Sequence, residues 1–146
     1  MKKLSIIVVF CLSFTSLWSA PANVAAQSFF KTHGFVFFFA STCPYCHQFS
    51  PVLKTVADSL NAEVLPLSFD NQPLPEFKNI LPATSDWVTV AFQNEQIHYP
   101  ALFIANPRTH ALFSVSIGAL SEIELNVRID ALIPKIMAYE NKGAVL

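Results

Sequence analysis

Cys43, Pro44, Tyr45, Cys46 and His47 form the run in which this chain's residue types and spacing best suit chemistry. Two thiols separated by two residues, with an imidazole next to the second, admit a structural disulfide, a metal site, a covalent haem or a redox dithiol. A structural disulfide stabilises mainly by closing a loop in the unfolded chain, and the gain grows with loop length. A bridge across Pro44 and Tyr45 closes almost nothing, so a staple is a poor account. Structural zinc takes about four ligands. Cys43, Cys46 and His47 offer three, no second cysteine pair exists, and His33, His98 and His110 are isolated. No metal is expected.

Haem is the stronger rival. C-x-x-C-H attaches c-type haem, and Cys43 to His47 matches it literally, with His47 as axial ligand. That reading makes the chain an electron carrier. Two features weigh against it. The motif follows a buried apolar run, where a small haem-wrapping fold would place helix and loop. The rest of the chain reads as strands and a hairpin, with Met137 as the one methionine beyond Met1.

The redox reading explains more of the context, because C-x-x-C beside a strand–helix unit is a thioredoxin-like arrangement. A sulfur in a helix's first turn faces unsatisfied backbone N–H groups and the positive end of the macrodipole, which together favour thiolate over thiol. Pro44 is tolerated because a first-turn N–H has no helical partner. Cys43 is expected to stand exposed at the helix tip as nucleophile. Cys46, one turn in, is expected to be shielded and to resolve the mixed disulfide. Tyr45 either tunes the pair or is an exposed aromatic without a role. His47 either stabilises the Cys43 thiolate or is a surface residue of the helix.

The elements that must position these residues can be read from the apolar pattern. Phe35–Ser41 is a continuous apolar run, as in a central strand buried on both faces. Phe49, Val52, Leu53, Val56, Ala57 and Leu60 recur at helical spacing, so Cys43–Leu60 is an amphipathic helix, kinked at Pro51. Val24–Gly34 reads as a short helix or turn closed by Gly34. Ala62–Asp70 is a second strand, and the proline-containing segment 71–83 reads as a loop. Residues 84–94 form a helix with N-capping side chains. Its Trp87 and Phe92 face either the core or a substrate. Asp70 is assigned to a turn and Asp86 to a cap. Pro100–Ala105 and Ala111–Gly118 pair as a hairpin across the 106–110 turn. Ser121 and Glu124 form a capping box that opens a C-terminal helix containing Pro134. The expected architecture is α/β, a mixed sheet with helices on both faces.

The chain's 146 residues suffice for one domain. Hydrophobic residues make up 53% and charged residues 13%, which excludes a disordered chain. The formal net charge is −1, with no Lys/Arg cluster beyond Lys2–Lys3, so no nucleic-acid surface is present. Lys2–Lys3, the uncharged apolar run Leu4–Leu17 and the small residues after it follow the pattern of a secretory signal peptide. The run is short for a membrane span of about 20 residues. Residues 1–20 are therefore expected to be removed, with cleavage after Ala20 or as late as Ala22 or Ala26. Cys11 goes with them, and 27–140 remains as the folded domain. Export places Cys43 and Cys46 in an oxidising compartment.

The segment 35–53, with Pro51 eight residues beyond Cys43, resembles the active-site segment of the thioredoxin superfamily. The stretch 97–104 resembles the strand that opens after that superfamily's cis-proline, and 114–121 resembles its last strand and glycine. The cysteine motif, the 66–84 segment, the Tyr99-Pro100 strand and the 118–122 turn together are similar to the TrbB-type thiol-disulfide isomerases, periplasmic proteins of F-type conjugative pilus assembly. The resemblance covers roughly residues 28–137. It implies a thioredoxin-like fold and periplasmic thiol–disulfide exchange on exported, cysteine-containing proteins, among them pilus or transfer-apparatus components. A membrane redox partner would reset the pair. The redox-active Cys43–Cys46 disulfide would serve in place of a cofactor. It also implies a cis Tyr99–Pro100 bond facing Cys43, with Tyr99 and Pro100 binding substrate. A non-catalytic assembly chaperone stays open as an alternative. The chain departs from the superfamily in two places. Many thioredoxins carry a buried acid six residues before the first cysteine, where this chain has Phe37. Proton transfer at Cys46 then needs water or another group. Tyr99 replaces the common Thr or Val, so its ring either crowds the groove or stacks on substrate.

Overall fold

A computed structural model describes residues 22–93 and 95–143. The expected signal peptide, residues 1–20, lies outside them. Alternation along the central aromatic strand sets the layers, because successive side chains of a strand point to opposite faces. The strand β1 is Gly34–Phe39. Phe35, Phe37 and Phe39 enter one core, and Val36 and Phe38 enter the other. Three of the helices cover the first face: α1 (Ala22–Phe29), α2 (Pro44–Leu60) and α4 (Glu122–Gly143). The short α3 (Ser85–Phe92) covers part of the second.

The sheet has the order β3-β2-β1-β4-β5. The strand β2 (Val64–Ser68) runs parallel to β1, and β3 (Leu81–Pro82) extends the same edge. The strands β4 (Ala101–Asn106) and β5 (Ala111–Ile117) form the antiparallel hairpin on the other side. The mixed sheet flanked by helices is thus as the apolar pattern predicts. Phe92 is buried in the second core, and Trp87, half-buried, packs against it.

Three local expectations need correction. Gly34 does not close a helix. It starts β1, where a Cβ would lie 3.3 Å from the Glu63 carbonyl oxygen. Segment 71–83 is not all loop, since Leu81–Pro82 pairs with Leu67–Ser68. Two residues are too few to show a strand period, and a proline there is tolerated because the strand lies at the sheet edge. Thr84 is the N-cap of α3 but makes no side-chain capping bond. The capping box at α4 does form. Ser121 N–H and Oγ donate to Glu124 Oε2 at 2.8 and 2.7 Å, and Glu124 N–H donates to Ser121 Oγ at 3.3 Å.

Candidate active site

Strand direction brings three loops to one edge of the sheet. Parallel pairing puts the ends of β1 and β2 side by side, with Phe39 opposite Ser68. Antiparallel pairing puts the start of β4 there too, with Phe38 opposite Ala101. The loops carrying Cys43, Asp70 and Tyr99 therefore meet.

Cys43 is the N-cap of α2, with extended backbone at φ −85° and ψ 116°, and Pro44 follows in the first turn. The Cys46 N–H donates to Cys43 Sγ at 3.2 Å. An N–H aimed at sulfur helps it carry negative charge during attack. From the opposite wall, the Tyr99 carbonyl oxygen lies 3.9 Å from Cys43 Sγ. The Tyr99–Pro100 bond is cis. Pro100 is buried, and its carbonyl accepts the Gly118 N–H at 2.7 Å, with Gly118 at φ +99°.

Cys43 does not stand exposed as the helix-tip placement suggests. Only 8% of it is accessible, because the Tyr99 loop leans over it. Cys46 is completely buried. Burial first, then the bond with Cys43, then the charges of Cys43 and Asp70 push its thiol up to about 12, against a backbone contact from Ala40 that pulls it down. Both cysteines are free thiols.

His47 is exposed and its Nε2–H donates to the Ser41 carbonyl at 2.6 Å, so the ring is committed to the loop before Cys43 rather than to the sulfur. Tyr45 is 64% exposed beside the motif, and Tyr99 is 44% exposed. The Tyr99 ring packs on Phe69 at a centroid distance of 5.4 Å. The ring is therefore held against the residue that follows β2.

Ser41 and Asp70 are the site residues that reading the sequence missed in this role. Asp70 Oδ2 accepts the Ser41 N–H at 2.8 Å and the Ser41 hydroxyl at 2.7 Å. Asp70 Oδ1 accepts the Ser68 hydroxyl at 2.8 Å and the Gln72 N–H at 3.3 Å. Burial raises the Asp70 carboxyl, but these hydrogen bonds, the Ser41 and Ser68 hydroxyls foremost, outweigh it and hold the group down at about 2. The turn assignment covers only the Gln72 bond. The place of a buried acid under Cys46 is filled by Phe37, whose ring meets Phe39, Phe49 and Phe77 at 5.2, 5.8 and 5.6 Å.

Among the described residues, no group of three His, Cys, Asp or Glu side chains is placed to hold a metal. The thiols do not fit covalent haem either, since a fully buried Cys46 within the aromatic core cannot reach a macrocycle outside it. A cleft of about 680 Å³ lies at the opposite end of the sheet, around Gly34, Val64, Trp87 and Ala111, and touches neither cysteine. The chemistry-bearing residues meet instead where the ends of β1 and β2 and the start of β4 come together.

A central mixed sheet with a dithiol at the head of the helix following its middle strand, faced by a proline loop, defines a thioredoxin-fold protein. The chain belongs to the family described as TraF: F plasmid transfer operon protein, matched over residues 22–130. It is 32% identical over 109 residues to Protein TrbB of Escherichia coli (strain K12), which covers 75% of this chain and 59% of that relative's length. Among solved structures it is similar to a thiol:disulfide interchange protein of the thioredoxin family from Chlorobium tepidum TLS. The TM-score is 0.54 at 18% identity, covering 74% of this chain and 84% of that one. It is also similar to the thioredoxin domain of a thiol-disulfide oxidoreductase from Bacteroides vulgatus, with a TM-score of 0.50 at 13% identity, covering 73% and 83%. At such identities these two structures speak to the fold alone.

Proposed function

We propose that this protein is a periplasmic thiol–disulfide oxidoreductase with isomerase activity, acting on exported proteins during assembly of a conjugation or related secretion apparatus. One observation carries the chemistry. Cys43 Sγ receives the Cys46 N–H at 3.2 Å and faces the Tyr99 carbonyl at 3.9 Å, so nucleophile, resolving thiol and proline loop share one groove. Membership in the F plasmid transfer operon family supports the setting. The N-terminal pattern of Lys2–Lys3 and Leu4–Leu17 supports export. None of the helices among the described residues is long and apolar enough to cross a membrane.

In the proposed cycle the Cys43 thiolate attacks one sulfur of a substrate disulfide. A Cys43–substrate disulfide forms, the substrate bond breaks, and the second substrate sulfur leaves as thiolate and takes a proton. Two exits follow. A thiol of the same substrate attacks the substrate's own sulfur in the mixed disulfide and regenerates Cys43, which isomerises the substrate without net oxidation. Alternatively, Cys46 loses its proton and attacks Cys43 Sγ. The Cys43–Cys46 disulfide then forms, the substrate leaves reduced, and a membrane redox partner must return two electrons and two protons to the pair. A buried Cys46 held in the thiol form slows the second exit. That lengthens the mixed disulfide and suits isomerisation. The exposed rings of Tyr45 and Tyr99 beside the groove suit an unfolded, apolar substrate segment paired along the Tyr99 backbone, as in strand addition.

Recovery of activity from scrambled ribonuclease, with insulin reduction alongside, tests the reading. Cys43→Ser should abolish both, and Cys46→Ser should accumulate mixed disulfides. Wild-type protein no more active than Cys43→Ser would leave a binding protein without turnover and sink the enzymatic reading.

A further inference from the structure

Asp70 makes more hydrogen bonds than a turn requires. Its two oxygens accept four donors, two of them from Ser41, a residue 29 positions earlier in the chain. Ser41 lies in the short loop between β1 and Cys43. Its third polar group, the carbonyl, is taken by the His47 ring at 2.6 Å. The loop that presents the nucleophile is thus held from Asp70 on one side and from α2 on the other. Phe69, the residue before Asp70, carries the Tyr99 ring at 5.4 Å, and its N–H is fixed to the Phe39 carbonyl at 2.9 Å. Adjacent residues of one loop therefore hold the two facing walls of the groove.

We propose that Asp70 is a positioning residue for exchange at Cys43: its carboxylate, through Ser41, fixes the loop that presents the sulfur, while Phe69 beside it fixes Tyr99 on the facing wall. This rests on the thiol-exchange reading above. A pair of adjacent residues sets the separation of the walls because both are tied to the end of β2 and to the end of β1. Asp70 is already ionised well below neutral pH, so the anchor holds throughout the working range. Its charge also bears on the dithiol. The groups acting on Cys46 are the Cys43 sulfur, the Ala40 backbone and Asp70. Glu76, bonded to the buried Ser50 one turn further along α2, His47, bonded to Ser41, Tyr45 in the first turn of α2 and Tyr99 on the facing loop are other ionisable groups around this end of the helix. Asp70 thus adds a negative charge that disfavours a second one on Cys46, and removing it has a signature that loss of packing lacks.

The test uses the mature chain with Asp70→Asn and Ser41→Ala. Three quantities are measured: the exchange rate on insulin, the pH profile of Cys46 thiolate absorbance read against the same chain carrying Cys46→Ser, and the thermal melting point. Asp70→Asn should slow exchange about tenfold, the scale of a modest misplacement of a reacting group. It should also move the Cys46 profile to lower pH by at least about 0.3 pH unit, which is about twofold more thiolate on the acid side. Ser41→Ala keeps the charge and should slow exchange about threefold or more while leaving the profile in place. A folded Asp70→Asn protein that melts lower but matches wild type in rate and profile would assign Asp70 a structural role only and overturn the proposal. Should Asp70→Asn fail to fold, Ser41→Ala decides, and a rate within twofold of wild type overturns it. Thiolate absorbance reads Cys46 whether or not a protein substrate turns over. A wild-type chain inactive on insulin would therefore fail the functional reading, while the profiles would still decide the role of Asp70.

Discussion

Raising the pH on the reduced protein should ionise Cys46 only as pH approaches 12. The residue is fully buried, and burial is the largest cause of the rise from 9.0 to about 12. Thiolate falls tenfold for each unit below the pKa, so at pH 7 the ionised fraction is about 10⁻⁵. The sign of the linkage follows. The folded value lies above the unfolded one, so the fold binds this proton more tightly. The stabilisation is complete below about pH 9 and is lost as pH climbs from 9 through 12. Three units at about 1.36 kcal/mol each set an upper limit of about 4 kcal/mol. Thiolate absorbance at 240 nm, read as wild type minus Cys46→Ser, isolates the group from Cys43 and the tyrosines. The difference should stay near zero to pH 10 and rise towards 12. Urea unfolding between pH 8 and 11 should show the reduced wild type losing stability that Cys46→Ser keeps. Half of the difference amplitude by pH 9 would refute the reasoning. It would mean that Cys46 meets solvent and that the slow second exit does not exist.

Further outcomes can be checked independently. Stability supplied by Asp70 is present above about pH 4 and should be lost as pH falls through about 2, because its folded value lies below the ordinary 3.8. Acid titration followed by circular dichroism should show that dependence in wild type and its absence in Asp70→Asn. Phe37→Ala removes a ring with no exposed surface from among three aromatic neighbours. It should cost about 3–5 kcal/mol by urea unfolding, and a loss below about 1 kcal/mol would show that the core there is loose. Gly118→Ala forces a side chain onto φ +99° at the residue whose N–H holds the Pro100 carbonyl. It should cost about 1–2 kcal/mol and slow exchange on insulin, and an unchanged rate would uncouple that bond from the groove.

Local signals alone determined a good part of this protein. The run Phe35–Ser41 reads as a buried strand because every residue up to Ala40 is apolar, and the period of Phe49 to Leu60 reads as a helix because one face must be dry. Spacing alone placed Cys43 and Cys46 at the head of that helix, and the bulk of Phe37 removed an acid from beneath them. The capping box at Ser121 and Glu124 was legible because both partners lie within one turn. What the sequence could not show depends on strands meeting. Ser41 and Asp70 are 29 residues apart, and only the parallel register of β1 and β2 brings them together. The recession of Cys43 to 8% exposure comes from the Tyr99 loop, which antiparallel β4 delivers from 56 residues away. His47 reads as a neighbour of the sulfur by sequence, yet its ring reaches Ser41 because the loop folds back over the helix start. The two-residue β3 carries no period of its own and exists only because β2 offers it an edge. Composition and spacing choose the elements and the reactive atoms, whereas the distances and exposures that govern their reactivity are set between loops remote in sequence, which only the folded sheet brings to one edge.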